Sequence, residues 1–307
     1  MKVLYIASAD IAIPGLEALH GKEGIDVVGV VCQPDRPRGR RRRLSAALVK
    51  ERAGLLGLPV ISPEKIGSPE VVETLRAWEP DLNVVFAYGQ YLPGAVIDMP
   101  RLRSINIHPS LLPRHRGASP IQFTILNGDA MGGISVIYVT KEMDAGDILL
   151  QKRVALETGE TSASLSGKMA GEAATILCEA LDLLVSGDVH PQPQDPARVT
   201  ETRKLTKEDG PIDWSHSAQV LDCRVRAFNP WPCATFQRDG LTIKLQRVGV
   251  EDGKGHPGEV LDVKGGPLVA TGDGAVRLLD VQPPGKKAMS GDAWLRGYPL
   301  AVGDRLG

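Results

Sequence analysis

The sequence predicts an α/β protein in which a Rossmann-like parallel sheet is followed by a small OB-like β-barrel. Three observations support this. Short β-branched apolar runs alternate with helix-like stretches, a proline-rich segment follows, and glycine then breaks a series of short β-like runs. At 307 residues the chain is near the size at which single cores divide. We therefore predict domains at 1–187 and 207–307, joined by a linker at 188–206.

The elements of the first domain follow from the spacing of its apolar residues. One Ala- and Leu-rich stretch with helical spacing predicts a long helix at 162–186. Since strand-like and helix-like stretches alternate, we expect mostly parallel strands with helices on both faces. Apolar runs predict strands at 3–7, 27–31, 82–87, 104–108 and 134–139.

The linker and the second domain differ in composition. Pro191, Pro193 and Pro196 lie within six positions, which neither a helix nor a central strand tolerates. Beyond them a helix is expected at 217–228, and the short runs predict a closed or nearly closed barrel. Its strands are expected at 234–237, 242–248, 258–263, 268–271 and 276–281.

Composition excludes several classes of protein. The formal charge of -1 means that a polyanion would have to be bound by local basic patches. The four cysteines form no CxxC pair and show no metal-ligand spacing with the six histidines, so we expect reduced thiols and no metal. The N-terminus lacks a leader pattern and a long apolar segment, which predicts a cytoplasmic chain without membrane contact. No coiled-coil segment is left over, which favours a monomer.

The clearest chemical motif is Asn106-Ile107-His108-Pro109-Ser110, at the end of a predicted strand. The two-residue period puts the Asn106 and His108 side chains on one face, at a carboxyl end of the sheet, where open α/β folds bind ligands. An amide and an imidazole side by side suit a developing oxyanion, for which each donor can be worth about 3 kcal/mol. The pair favours acyl transfer, although it could equally be a polar cap at a strand end.

An acidic turn, Glu142 to Asp147, follows the next predicted strand. A carboxylate from this turn that reached His108 would fix the tautomer of the imidazole. Either Asp144 or Asp147 could do so, and an acidic turn with a glycine is also common without any such role.

Residues 106–122 and 143–147 together resemble the signature of the folate-dependent formyltransferase family. The resemblance implies 10-formyltetrahydrofolate as formyl donor and Asn106, His108 and Asp144 as catalytic residues. Apolar residues and exposed loop amides suit a pterin. The resemblance places the folate pocket at Phe86, Gln90, Tyr91, Leu92, Ser110, Leu111, Leu112 and Pro113.

An arginine-rich segment bears on the formyl acceptor. Six of the eight residues at 36–43 are arginines, and they directly follow a predicted strand. Alone, such a run is often a solvated loop. Here it resembles the insertion of family members that formylate aminoacyl-tRNA, although Arg41 stands where a glycine is usual. The resemblance implies tRNA contacts from Arg38, Arg40, Arg41, Arg42 and Arg43, with Arg40 at the position expected to enter the acceptor stem.

The C-terminal sequence points to the same acceptor. Residues 226–232 and 282–290, with 204–205 and 212–214 before them, resemble the barrel domain of those family members, so the resemblance spans nearly the whole chain. It implies initiator methionyl-tRNA as partner. Salt-sensitive phosphate contacts are expected from Lys204, Lys207, Lys286 and Lys287.

Three other functions remain open. An amino-sugar formyltransferase is disfavoured by the arginine-rich segment and by Lys286 and Lys287. A hydrolase that releases formate from formyl-folate would share the catalytic residues. A non-catalytic RNA-binding factor is disfavoured because Asn106, His108 and Asp144 are intact. His115 stands where the family commonly has Trp, and we expect it at the surface.

Overall fold

A computed structural model describes residues 1–38, 43–45 and 48–307. Contacts divide the chain into two compact units. The first comprises Met1–Pro120, Met131–Ala155 and Ser166–Thr202, and the second comprises Ile121–Ala130, Leu156–Leu165 and Arg203–Gly307. The predicted domain boundaries stay predictions.

The strands of the first unit are β1 (Lys2–Ala7), β2 (Asp26–Val31), β3 (Arg36–Arg38), β4 (Arg43–Ser45), β5 (Val60–Ile61), β6 (Leu82–Phe86), β7 (Ser104–His108), β8 (Arg116–Gly117), β9 (Met131–Tyr138), β10 (Ile148–Ala155) and β11 (Glu201–Thr202). The second unit contains β12 (Ala234–Arg238), β13 (Leu241–Glu251), β14 (Val260–Asp262), β15 (Leu268–Ala270), β16 (Ala275–Gln282) and β17 (Met289–Ser290). The helices are α1 (Ile13–Gly21), α2 (Leu48–Leu55), α3 (Pro69–Ala77), α4 (Gly94–Ile97), α5 (Pro120–Leu126), α6 (Ser162–Ser186), α7 (Ala218–Ala227) and α8 (Gly291–Gly297).

The main sheet of the first unit has seven strands in the order β10-β9-β7-β6-β1-β2-β5. The strands β5, β2, β1, β6 and β7 run parallel, and β9 is antiparallel to both of its neighbours, β7 and β10. The chain builds outward from β1 to β2 and β5, and then resumes on the other side with β6. The order therefore reverses beside β1, and open α/β sheets bind ligands at the carboxyl ends near such a point.

Both faces of this sheet are covered because successive residues of β1 point in opposite directions. Leu4 and Ile6 pack in a buried cluster with residues of α3 and α4. Tyr5 points to the other face, where its hydroxyl donates a hydrogen bond to the Ala12 carbonyl (2.6 Å) and lies close to Gly15 of α1. This two-sided burial explains why β1 and β6 are almost continuously apolar.

The second unit is an antiparallel sheet in the order β12-β13-β16-β15-β14, with β17 paired to β16. Its core contains Phe236, whose ring contacts Trp214 and Trp294 edge to face at centroid distances of 5.9 and 5.8 Å. Helix α7 packs on this core through Leu221 and Val225, which are one turn apart. The predicted α/β fold class, with a separate antiparallel C-terminal sheet, is confirmed.

The C-terminal residues complete the wall of this barrel. Gly307 exchanges backbone hydrogen bonds with Gln237 of β12, and Leu306 donates one to the Gly258 carbonyl (2.8 Å). At β14, Val260 donates a backbone hydrogen bond to Asp304 (2.8 Å). Since β12 and β14 are the two ends of the strand order, the C-terminal segment bonds to both ends of the sheet.

Candidate active site

Strand β7 positions two of the predicted catalytic side chains. It pairs in parallel with β6 and antiparallel with β9, so it lies inside the sheet. Asn106 is partly buried and His108 is 4% exposed, and both lie at the carboxyl end of the strand. Pro109 has no N–H for a further ladder bond, which is consistent with the strand ending at His108.

The structure brings Asn106, His108 and Asp144 together. One oxygen of the Asp144 carboxylate accepts a hydrogen bond from Asn106 Nδ2 (3.3 Å), and the other lies 3.5 Å from His108 Nδ1. The second oxygen also accepts a shorter bond from the backbone N–H of Gly117 (2.8 Å). Asp147 is exposed. Of the two candidate aspartates in the acidic turn, Asp144 is therefore the one beside the imidazole.

The contacts of His108 define which of its ring nitrogens is free for chemistry. Its Nε2 atom lies 2.8 Å from the carbonyl oxygen of His115. A carbonyl can only accept, so Nε2 must carry a hydrogen and donate it. Nδ1 is therefore the nitrogen that faces the Asp144 carboxylate, and it carries a hydrogen only when the imidazole is protonated.

The prediction that His115 lies at the surface is wrong, since this residue is only 4% exposed. Its φ of 60° lies in the left-handed region, and its N–H donates to Thr200 Oγ1 (2.8 Å). Its carbonyl at the same time accepts from His108. His115 thus serves the site through its backbone, which its side-chain type does not reveal.

Buried hydrogen bonds brace the loop that follows β7. Ser135 Oγ donates to the Ser110 carbonyl (2.7 Å) and accepts from the Leu112 N–H (3.1 Å). Gln151 Nε2 donates to the Leu112 carbonyl (2.8 Å), while Ser110 Oγ donates to the Arg114 carbonyl (2.6 Å). Satisfied buried polar groups of this kind hold a loop in one conformation.

The residues predicted to line the folate pocket differ in their exposure. Phe86 is fully buried and Leu92 is 6% exposed, so both side chains belong to the core. Tyr91 is 68% exposed and Gln90 is partly buried. In the loop after β7, Ser110, Leu112 and Pro113 are buried and Leu111 is partly buried.

The segment after β6 nevertheless has features that fit a polar heterocycle. Ala87 and Gly89 are exposed and have left-handed φ values of 48° and 81°, which turn the backbone at the carboxyl edge of the sheet. Between them, the buried Tyr88 hydroxyl has no hydrogen-bond partner among the described residues. Burial raises the pKa of Tyr88 to about 12, so the group stays a neutral donor. Buried polar groups without a partner are rare in native proteins, and a ligand can satisfy them.

Part of the predicted linker contacts this site. Strand β11 pairs in parallel with β8, where Thr202 lies opposite Gly117, and Thr202 Oγ1 donates to the Arg116 carbonyl (3.0 Å). A side chain on Gly117 would overlap the Thr202 carbonyl. Gln194 contacts Arg116 and the acidic turn. Neither Gln194 nor Thr202 carries a sequence signal, because both stand in a polar, proline-rich stretch.

The basic residues predicted to bind tRNA can be located only in part. Arg38 pairs with Arg43 in the β3–β4 hairpin, while Arg40, Arg41 and Arg42 lie outside the described residues. The four candidate lysines are exposed, namely Lys204, Lys207, Lys286 and Lys287, and all lie in the second unit.

Within 1–38, 43–45 and 48–307, no group of three His, Cys, Asp or Glu side chains is arranged to hold a metal ion. In the same ranges, none of the helices combines the length and apolar character needed to span a bilayer.

Comparison with protein-family models defines the class of this protein. The model for formyl transferases matches residues 1–181, and the model for the formyl transferase C-terminal domain matches residues 204–299. The chain belongs to the formyltransferase family.

Within this class, the chain is 41% identical over 310 residues to the methionyl-tRNA formyltransferase of Roseiflexus sp. (strain RS-1), covering 100% of this chain and 95% of that protein. The fold resembles HypX from Aquifex aeolicus in complex with tetrahydrofolic acid (TM-score 0.63, 20% identity, 100% of this chain, 50% of HypX). It also resembles the N-formyltransferase from Helicobacter canadensis in complex with folinic acid and dTDP-3-aminofucose (TM-score 0.65, 12% identity, 92% and 98% covered).

Proposed function

We propose that this protein transfers the formyl group of 10-formyltetrahydrofolate to the free amino group of methionyl initiator tRNA, for translation initiation. The observation that carries the proposal is the cluster of Asn106, His108 and Asp144 in a chain that matches a methionyl-tRNA formyltransferase over its whole length. The enzyme acts in the cytoplasm as a monomer. Residues 1–187 form the catalytic domain, 188–206 the linker and 207–307 the tRNA-binding domain.

Two donors in the cluster suit the oxyanion of formyl transfer. Attack of the methionine amine on the formyl carbon puts negative charge on the formyl oxygen. Asn106 Nδ2 and His108 Nδ1 contact the Asp144 carboxylate at 3.3 and 3.5 Å, which is long for a charge-assisted hydrogen bond. Because Nε2 keeps its hydrogen on the His115 carbonyl, Nδ1 donates only from the cationic imidazolium. In that form His108 and Asn106 can both donate to an oxyanion in exchange for their long contacts with Asp144.

Asp144 orients the imidazole and moves the proton. Its carboxylate is held by the short bond from the Gly117 N–H (2.8 Å), so it stays beside His108 while the other contacts change. In this position it accepts the proton that the attacking amine loses, directly or through one water, and returns it to the folate nitrogen that leaves.

The folate-binding role rests on two segments at one edge of the sheet. Residues 110–113 are braced by Ser135 and Gln151, and residues 86–92 offer an exposed turn at Ala87 and Gly89. We assign the pocket to Phe86, Gln90, Tyr91, Leu92, Ser110, Leu111, Leu112 and Pro113. The buried Phe86 and Leu92 would shape it from beneath, and Tyr91 is exposed for direct contact.

The tRNA contacts are assigned to arginines and lysines. Arginine can both pair with phosphate and stack on an unpaired base, as the end of an acceptor stem requires. The assignment names Arg38, Arg40, Arg41, Arg42, Arg43, Lys204, Lys207, Lys286 and Lys287. The exposure of the four lysines supports phosphate contacts that salt weakens.

The test offers four acceptor conditions to the enzyme with 10-formyltetrahydrofolate. These are charged initiator tRNA, charged elongator methionine tRNA, a nucleotide-linked amino sugar, and no acceptor. Selective formylation of the charged initiator tRNA is expected. Formylation of the sugar, or folate turnover that needs no amine, would replace the proposed acceptor while keeping the same reactive cluster.

A further inference from the structure

We propose that Gln194 is a positioning residue that holds the Asp144 turn against the loop that binds its carboxylate. The proposal rests on the function proposed for Asp144. It concerns a residue in the stretch between the two family-model matches, which end at 181 and resume at 204.

One amide group joins two parts of the site. Gln194 Nε2 donates to the carbonyl of Asp144 (2.7 Å) and to that of Gly146 (2.8 Å). Gln194 Oε1 accepts from Nε and Nη2 of Arg116 (3.0 and 2.9 Å). The donor end therefore fixes the acidic turn, and the acceptor end fixes the residue before Gly117.

The acidic turn and the Gly117 loop are joined by the shortest contact of the Asp144 carboxylate. The Gly117 N–H donates to Asp144 Oδ2 at 2.8 Å, whereas Asn106 and His108 contact the same carboxylate at 3.3 and 3.5 Å. Gln194 holds the backbone of the Asp144 turn at one end of this bond and the guanidinium of Arg116, the residue before Gly117, at the other end. It therefore sets where the carboxylate lies relative to His108.

The acidic turn needs such a brace because its backbone is constrained. Asp144 has a φ of 51°, a left-handed conformation that non-glycine residues adopt at a cost. Gly146 packs against the Tyr138 carbonyl so closely that no side chain fits there. The converging carbonyls of Asp144 and Gly146 then meet the two amide hydrogens of Gln194, a pattern that a carboxylate cannot reproduce.

Gln194 is itself held in place. In residues 191–198, all of which the structure describes, Gln194 is partly buried and all the other side chains are exposed. Downstream, Thr200 accepts from the His115 N–H (2.8 Å), and β11 pairs with β8. The segment is thus pinned along the loop that contains Arg116 and Gly117.

The variant Gln194→Glu tests the proposal in the full chain, because it keeps an acceptor for Arg116 and loses both donors to the turn. We expect kcat to fall about 100-fold, as misplacement of a catalytic group by about 1 Å can cause. KM for 10-formyltetrahydrofolate and for tRNA should stay within about twofold. Gln194→Asn retains a donor amide and should recover kcat to within about tenfold of the parent.

A second readout does not depend on activity. Hydrogen exchange of the Gly117 amide, followed by NMR, should be about tenfold faster in Gln194→Glu because its acceptor has moved. The control is Gln192→Glu, which makes the same charge change at an exposed side chain two residues away and should alter neither readout.

The outcomes separate this proposal from the proposed function. A loss of kcat at constant KM with faster Gly117 exchange supports positioning. Unchanged kcat and exchange in Gln194→Glu, or equal changes in Gln192→Glu, overturn it. If the parent enzyme does not formylate methionyl-tRNA, the proposed function fails, and the Gly117 exchange of Gln194→Glu and Gln194→Asn still decides whether Gln194 holds the turn.

Discussion

The carboxyl edge of the seven-stranded sheet and the wall of the barrel are built in different ways. At the sheet edge, Ala87, His115 and Asp144 all have left-handed φ angles, and side chains hold the loops between strands. In the barrel, Cys233 and Asp239 have such angles, and both lie in turns that flank β12. Backbone strain that surrounding bonds maintain is typical of active sites. The edge therefore carries its left-handed residues where the predicted catalytic side chains lie, whereas the barrel is an antiparallel ladder with register shifts in β13 and β14.

The first prediction tests the role of Asp144 at the carboxyl edge of the sheet, and it has the largest expected effect. Asp144→Asn should lower kcat about 1000-fold or more while the protein stays folded, since the amide can neither take the proton nor orient a charged imidazole. Steady-state formylation and circular dichroism measure the two effects. The matched control is Asp147→Asn, because Asp147 is exposed in the same turn. Equal losses in both variants would contradict the assignment.

The second prediction concerns the brace on that edge. Gly117→Ala should destabilise the protein by more than about 1 kcal/mol, because Gly117 has a φ of 104° and a side chain would overlap the Thr202 carbonyl. We also expect kcat to fall about 100-fold as the bond to Asp144 is displaced. The control is Gly159→Ala, where φ is 80° but nothing lies within 4 Å. Urea unfolding and kcat are measured for both variants. Equal stability of Gly117→Ala and Gly159→Ala would argue against the overlap with the Thr202 carbonyl.

The third prediction addresses the barrel surface. The double variant Lys286→Ala, Lys287→Ala should raise KM for tRNA several-fold and leave kcat unchanged. The slope of log KM against log salt should become shallower by about two, one for each phosphate contact. A control with Lys254→Ala and Lys264→Ala removes the same charge from exposed barrel positions. If the Lys286→Ala, Lys287→Ala variant lost kcat and kept its KM for tRNA, the barrel surface would not differ from the sheet edge in the way proposed.

The smallest expected effect is a pH-dependent one at the start of the second unit. A hydrogen bond from Arg203 holds the pKa of Asp209 well below its usual range, and the Thr206 N–H also bonds to it (2.7 Å). A depressed folded pKa adds stability above the unfolded pKa of about 3.9, and this stability is lost as pH falls through the folded value.

Asp209→Asn should accordingly lower the free energy of unfolding at pH 7, and the gap to the parent should shrink as pH falls below about 4. Urea titrations at pH 7, 4 and 3 measure it. A gap that is constant across this range would mean that the ionised carboxylate of Asp209 adds no stability.

Sequence periodicity predicted the elements that are strongly apolar or strongly amphipathic. The strand at 104–108 and the helix at 162–186 have the predicted bounds. Strand β10 was not predicted, since its sequence places three polar residues, Gln151 to Arg153, directly after three apolar ones and so shows no two-residue period. Its pairing with β9 is a tertiary contact that local pattern does not encode.

The site shows the same division. Side-chain chemistry at a strand end indicated the positions of Asn106 and His108, whereas the acidic turn left Asp144 and Asp147 open and the family resemblance selected Asp144. The contributions of His115 and Gly117 could not be predicted, because they come from a backbone carbonyl and a backbone N–H. Such groups are the same in every residue, so only the fold can show where they point.

The way in which the C-terminal residues join β12 and β14 has a consequence for solubility. A chain shortened by its last four residues would lose the backbone partners of Gln237, of the Gly258 carbonyl and of the Val260 N–H together. Two strand edges with unpaired N–H and C=O groups would then face water, and such edges pair with those of other chains. Truncation at this end would therefore produce aggregation during expression, even though every residue of the reactive cluster would remain in place.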